Sequence, residues 1–575
     1  MFKKLLLMII ACLVSFGSAF GQSGTITGTV TDQSSGETLP SVNVFIVELQ
    51  RGAATNAQGE FTIEGVDYGT YTVRASFVGY DTFEQQVTVD QSTVTLDIPL
   101  SSTMQQLDDV VVTAYGVEQD MNDLPYSAEQ VDGEIVSENR SDNFVSSLSG
   151  RVSGLKVSQS NGLGGSTNIV MRGYKSISGN NQVLFVVDGV PYANQEFNNN
   201  DVEAGFAGYD YGSTGIDVNP DNIASVNVLK GPAAAALYGS RASNGAIVIE
   251  TKAGKKGNQP VEVSFNSSAT INKVNSNTFI DHQMQYGGGY LPSFGGADLN
   301  GDGNPDDLDG DGDPSNDLVG NPWDDASYGP ELEGQQVYQW DAFVDEGPNF
   351  MQRTPWEAPE NKPIDFFETG TEFQNSVQIN GGFENGYYNM GYNQNNTTGI
   401  LPNSKMDKNK LNFAAGYDVS DKFSVSGKIQ YTKTEALGRP GRGYSTTMSM
   451  FRQWWNTSVD IEDQRRAYFR NRTNETWNWA TGPSLGNSPI YWDNPYWTRY
   501  ENFQNDERDR YFGNVEANYE FTNWLNVTGR VSIDSYSQLI EERNNVGSVS
   551  HGAEQHTTGY RLRRQNFTEF NYDVL

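Results

Sequence analysis

A two-residue alternation of apolar and polar side chains runs through much of the chain, in two settings. Over residues 24–100 it comes in short runs at 25–32, 42–49, 60–64, 70–78, 82–89 and 93–99. Val42, Val44 and Ile46 share one face, as do Tyr71, Val73, Ala75 and Phe77, and later Val94, Leu96 and Ile98. Turn pairs at Ser35-Gly36, Gln58-Gly59 and Tyr68-Gly69 separate the runs. Short alternating strands between glycine turns predict a small β-sandwich. From residue 260 onward the rhythm changes. Val261, Val263 and Phe265 oppose Glu262, Ser264, Asn266 and Ser268, and Leu411, Phe413, Ala415 and Tyr417 alternate with polar or small residues. Phe423, Val425, Ile429 and Tyr431 alternate with Ser424, Ser426, Lys428 and Gln430. Leu525, Val527, Val531 and Ile533 alternate with Asn526, Thr528, Arg530, Ser532 and Asp534. Strands of roughly ten residues, apolar on one face and polar on the other, predict the wall of a transmembrane β-barrel. One such run also fits a soluble sandwich; it is their number that points to a barrel.

Between these regions the alternation breaks. The word "NFVSSLSGRVSGLKV" begins helical and becomes a strand, and "QVLFVVDGVP" is a buried strand ending in a turn. "IASVNVLKGPAAAALYGSRASNGAIVIET" reads as strand, Ala-rich helix, Gly-rich turn and strand. Residues 121–255 are therefore predicted as an α+β domain, and 101–120 as a linker. The fold class is mainly β.

At the N-terminus Lys3 and Lys4 precede an apolar stretch at 5–16, and Ser18-Ala19-Phe20-Gly21 offers a small-residue cleavage site. Residues 1–21 read as a cleaved signal peptide. The rival is a lipoprotein signal, since Ile9-Ile10-Ala11-Cys12 resembles a lipobox. Cys12 is the one cysteine, so cleavage near Gly21 leaves no thiol for a disulfide, a metal or a nucleophile. The net charge of −34 argues against a nucleic-acid partner, whose phosphates would be repelled. Much of that charge is local: residues 274–352 hold 16 Asp and Glu and no Lys or Arg.

Within that block Asp298, Asn300, Asp302, Asn304, Asp306 and Asp309 follow the ligand spacing of an EF-hand-type calcium loop, with Gly303 at the turn. Asp309 stands where Glu is usual, and Asp309, Asp311 and Asp313 suggest a second, less complete site. The alternative is a solvated acidic loop. All 10 Trp lie beyond residue 322. Trp454, Trp455, Trp477, Trp479, Trp492 and Trp497 cluster, which suits interfacial girdles, loop packing or stacking against sugar rings.

Several long words carry a family resemblance. "GTVTDQSSGETLPSVNVFI", "TNAQGEFTI" and "GTYTVRASFVGY" resemble the carboxypeptidase-regulatory-like domain, the non-catalytic sandwich. His282, His551 and His556, the only histidines, all lie outside it, so it has no histidine for a peptidase zinc. "LDDVVVTAYG", "SLSGRVSGLKV", "IVMRGYKSISGNNQVLFVVDGVP", "NPDNIASVNVLKGPAAAALYGSRASNGAIVIETK", "SYGPELEGQQVYQWD" and "FFETGTEFQNSVQINGG" follow in order. Together they resemble the SusC/RagA-like TonB-dependent outer-membrane transporters.

The resemblance implies a sandwich at 24–100, a linker with a TonB box at 101–120, a plug at 121–255 and part of a barrel at 260–575. Asp109, Val110, Val111, Val112, Thr113 and Ala114 resemble the TonB box. Three consecutive β-branched valines in a linker have strong strand propensity and could add to a partner's sheet edge. They would also serve as one more strand of the sandwich. Arg172, Asp188, Gly189, Lys230, Gly231, Gly239, Arg241 and Gly245 sit in the most recognisable plug words, where structural roles are expected: turns for the glycines, carboxylate pairing for the arginines.

The function implied is active import of a bulky glycan or peptide oligomer, without enzyme activity or a transport cofactor, calcium in the acidic loop aside. The TonB complex, a SusD-like surface lipoprotein and the bilayer are the implied partners. The alternative is an outer-membrane receptor that mainly binds or signals. A lumen of about 22 strands needs more chain than residues 260–575 supply, so a longer protein is expected.

Overall fold

The alternation over residues 24–100 folds into two four-stranded sheets in the computed structural model. The described residues are 23–33, 36–77, 80–101, 110–112, 118–120, 128–138, 143–160, 162–177, 180–198, 202, 205, 207–444, 446–480, 488–549 and 559–575. The expected leader, and Asp109, Thr113 and Ala114 of the expected box, lie outside them. In one sheet Ser23–Asp32 pairs antiparallel with Glu60–Asp67 and parallel with Thr93–Thr95 and Ile98–Leu100. The other runs Arg51–Ala54, Asn43–Ile46, Gly69–Ser76 and Phe83–Val89.

The faces expected to point inward do so: Val42, Val44, Ile46, Val73 and Ala75 are fully buried between the sheets. Two details differ from expectation. Arg51–Ala54 lacks alternation and becomes a strand by pairing with Asn43–Ile46. The run at 93–99 splits, because Asp97 Oδ1 accepts the Thr29 backbone N–H at 3.0 Å.

Residues to Val110 together with Asp120–Asn122 cluster as one unit, and Val111–Gln119 with the chain from Asp123 onward as a second. Val110–Val112 is a short strand paired with Glu118–Asp120.

In the second unit, the α+β domain is built on a five-stranded sheet ordered Ala128–Asp132, Ile223–Leu229, Ala246–Thr251, Leu184–Val187 and Val190–Tyr192. Phe185, Val187, Val226, Val228, Ile247 and Ile249 form its core with Val136 and Phe144. Asp188 and Gly189, both at positive φ, make the two-residue turn between Leu184–Val187 and Val190–Tyr192, the geometry that Asp-Gly favours.

The alternating runs beyond 260 form one eight-stranded antiparallel sheet. Its strands are Glu262–Asn272, Gly370–Phe383, Gly386–Thr398, Lys405–Ser420, Phe423–Leu437, Phe503–Thr522, Leu525–Asn544 and Gly559–Val574. At one end the turns are only 384–385, 421–422 and 523–524; at the other, residues 273–369, 399–404, 438–502 and 545–558 intervene. Tight turns opposite long loops are the pattern of outer-membrane barrels.

Burial in this sheet is inverted relative to a soluble protein. Leu411, Phe413, Ile429, Tyr511 and Val515 are about half exposed, whereas Lys408, Lys410, Asn412, Arg510 and Asp534 are buried. An apolar outer face and a buried polar inner face are stable only with lipid outside and a packed polar lumen inside.

The long loops carry cores of their own. Ile461–Asn471 is a helix capped by Asp460, whose side chain accepts the Glu462 N–H, and ended by Arg472 in the left-handed region. Its buried face meets Phe451, Trp455, Trp477, Trp492 and Trp497. Among the readings of the tryptophans this supports loop packing: those four are buried in the loop core, while Trp524, 83% exposed at a tight turn, fits a girdle.

Candidate functional site

The buried polar face of the sheet meets the α+β domain through charge pairs. Asp217, in the turn Thr214–Asp217, lies against the strand Phe503–Thr522: Arg508 donates to its Oδ1 at 2.6 Å, and Arg510 approaches Oδ2 at 3.7 Å. Arg510 also binds Asp534 at 2.7 Å and donates to the backbone oxygens of Thr214 and Ala193. None of these four side chains is more than 3% exposed. Two guanidiniums and two carboxylates thus balance inside the fold.

Further hydrogen bonds continue the contact. Gln430 donates to Asp217 O at 2.8 Å, Lys410 to Val218 O at 3.1 Å and Asn393 to Asp221 at 3.1 Å. Asn222 receives Gln378 and Asn412. The Asp188 turn is a further latch: its carboxylate accepts Lys428 Nζ at 2.6 Å and the Thr251 hydroxyl at 2.7 Å. Arg439 grips Asp506 through two bonds and donates to Leu163 O and Gly164 O.

Next to these latches, at the long-loop end, is a cavity of about 1070 Å³. The Gly162–Gly164 turn and Tyr209 contribute from the α+β domain, Glu372 and Met406 from the strands, and Tyr491–Asp493 and Arg499 from the loops. It is roomy enough for several residues or sugar rings.

The sequence agrees with known families at two places: a model described as CarboxypepD_reg-like domain matches residues 26–112, and the TonB-dependent Receptor Plug Domain model matches residues 120–246. TonB-dependent receptor SusC of Bacteroides thetaiotaomicron is 27% identical over 91% of this chain and 45% of its own length. TonB-dependent receptor P39 of Formosa agariphila is 31% identical over 43% of this chain and 21% of its own. The chain is similar to the SusC-like TonB-dependent receptors over nearly its whole length and carries a match to their plug domain. It spans less than half the length of these relatives. In fold it matches the RagAB peptide importer in its open-open state, with TM-score 0.52 and 16% identity, over 81% of this chain and 46% of that one. The names of these two relatives and this structure are those of receptors and a peptide importer.

The SusC-like plug is thus the α+β domain, and the expected plug residues fall in it as follows. Lys230 is buried and binds Glu129 and the Ser153 hydroxyl. Gly231 and Gly239 flank the helix Pro232–Tyr238 at φ +70 and +72. At Gly245, φ is +106 and an added Cβ would lie 2.6 Å from Met171 Sδ, so only glycine fits there. Arg241 pairs with Glu569 of the sheet at 3.0 Å. Arg172 departs from the carboxylate pairing expected: it is exposed at φ +56 beside Gly154 and Gly231, with no ion pair among the described residues.

The lumen cations Arg508 and Arg510 and their partner Asp217 were not singled out from the sequence, and Lys428, the partner of Asp188, was read only as a polar position of an alternating strand. The available signal was positive charge at inward positions of alternating strands.

In the acidic loop the carboxylates close enough to share an ion are Asp307, Asp309 and Asp311. Only Asp309 belongs to the set expected at Asp298–Asp309, and it also holds Arg353 at 2.9 Å. Asp306 instead turns onto the Leu299 and Asn300 amides, and Asp298 closes its own turn on Gly301, Asp302 and Gly303.

Proposed function

We propose that the chain supplies the plug, the energy-coupling segment and part of the wall of an outer-membrane importer for a bulky nutrient, a glycan or peptide oligomer. Exported behind its leader, it takes ligand into the cavity between plug and loops, under a SusD-like lipoprotein. TonB then pulls on Asp109, Val110, Val111, Val112, Thr113 and Ala114 by strand addition. The observation carrying this reading is the plug held to an inside-out strand wall by buried, charge-balanced pairs. Such pairs hold firmly while complete, yet a pull that separates them exposes groups water readily solvates. No cofactor enters.

The acidic loop is included in this proposal as a calcium site. The Asp298 turn and the Asp307 turn have the same hydrogen-bond pattern: each leading Asp accepts the amides three and five residues on.

The test is Val111→Pro in the intact transporter. Proline removes an N–H and is poorly tolerated in a paired strand. Uptake is expected to be lost while surface ligand binding and membrane abundance are kept. Lost abundance would favour a role in sandwich stability, and normal uptake would refute the box.

A further inference from the structure

The cavity wall holds one carboxylate that takes no part in the latches described above. Asp493, just before the helix Pro495–Tyr500, is half-buried. Its Oδ1 accepts Asn474 Nδ2 at 2.7 Å and the Val549 backbone N–H at 2.8 Å. Asn474 is itself fixed: its Nδ2 also donates to Gly547 O at 2.8 Å, and its Oδ1 accepts the Asn494 N–H at 2.9 Å. Two N–H donors on one oxygen favour the charged carboxylate and hold it in one orientation. Oδ2 has no partner among the described residues and is left open to the cavity.

No cation lies within ion-pair distance of Asp493 among the described residues, although Arg442, Arg499 and Arg561 line the same cavity. Each is engaged elsewhere. Arg499 donates to Pro402 O at 2.9 Å and Gly438 O at 2.7 Å. Arg561 pairs with Glu542 at 3.2 Å, and Arg442 with Asp210 at 3.1 Å. Residues 481–487 and 550–558 lie outside the described ones, and their only basic side chains are His551 and His556. Burial, with the Glu542 and Asp493 carboxylates, pushes the Tyr209 hydroxyl up to about 12 against Arg499 and Arg561, so the Tyr209 ring is near Asp493. A carboxylate near an aromatic ring is a setting for an ammonium or a guanidinium. Ile400, Leu401 and Met448 bring aliphatic surface to the same cavity.

We propose that Asp493 is the specificity-determining residue of a peptide site in this cavity, pairing through Oδ2 with a Lys or Arg side chain of the cargo. The proposal rests on the reading of the cavity as the cargo's compartment. A carboxylate held half-buried without a counter-charge is unfavourable until a cation reaches it. Burial pushes the Asp493 carboxyl up to about 7 against its two hydrogen bonds, and a cation at Oδ2 offsets that burial. A neutral oligosaccharide has no such group. A peptide brings the cation together with apolar side chains for Ile400, Leu401 and Met448, and a flexible thioether adapts to many of them.

The test offers the intact protein in detergent, at about pH 8 where histidines are neutral, an equimolar library of random pentapeptides alongside maltopentaose. Acetyl and amide caps leave the side chains as the only charges on the peptides. Retained molecules are identified by mass spectrometry. Peptides with Lys or Arg are expected to be retained about tenfold over those without, as one charge-assisted pair supplies. Asp493→Asn, which keeps an oxygen for both donors, should keep its melting temperature and retain peptides without that preference. Acetylating the lysines of the library needs no variant and should remove the lysine excess in the wild type. No preference in the wild type overturns the site, as does one that survives Asp493→Asn or lysine acetylation. Maltopentaose held in place of the peptides also overturns it, while leaving the importer reading with a sugar as cargo. That reading is tested separately, by uptake in the Val111→Pro protein.

Discussion

Asp217→Ala is expected to loosen the plug from the strand wall by an amount set by the charges it strands. In the wild type Arg508 and Arg510 share Asp217 and Asp534, each side chain at most 3% exposed. Removing Asp217 leaves Arg510 with Asp534 at 2.7 Å. Among the described residues Arg508 then keeps Gln538 at 3.3 Å and the face of Phe197, 5.4 Å away. One guanidinium then sits buried without a counter-charge, which costs about 3–5 kcal/mol. At about 1.4 kcal/mol per tenfold, that is roughly two to three and a half powers of ten in the local opening constant.

The bonds from Gln430 and Thr432 go to the Asp217 backbone oxygen and survive the substitution. The loss therefore reports the carboxylate. Native-state hydrogen exchange of the Ile223–Leu229 amides, in the intact protein in detergent, reads the change. Adding Arg508→Met removes the stranded charge and should restore most of the protection, since a buried ion pair is often replaceable by apolar packing. A single-variant cost below about 1 kcal/mol, or no recovery in the double variant, would show that the pair is not what holds this part of the plug.

Trp477→Ala, at a fully buried position in the loop core, should cost about 3–5 kcal/mol and make residues 438–502 protease-sensitive while the strands stay intact; unchanged proteolysis would contradict the core assignment. Calorimetry on the intact protein should show calcium uptake that Asp311→Asn weakens at least several-fold, and no heat at millimolar calcium would refute the site.

The sequence by itself determined which faces of the strands are apolar. A period of two needs only neighbouring residues, so the inward set Val42, Val44 and Ile46 and the outward set Leu411 and Phe413 could be read directly. It also determined the Asp188-Gly189 turn and the glycine at 245, because local backbone geometry dictates both.

Local pattern could not say what the tryptophans do. Trp477 in a loop core and Trp524 on an exposed turn look alike in sequence, and only packing against Trp455 and Phe451 separates them. The strand Arg51–Ala54 had no pattern of its own and exists through its partner. The same holds for the site. Asp217 and Arg508 stand 291 residues apart, Asp188 and Lys428 stand 240, and nothing in either neighbourhood names the other. Charge pairing across such separations is fixed by how plug and wall fold together, because a buried charge selects whichever opposite charge the tertiary structure brings within reach.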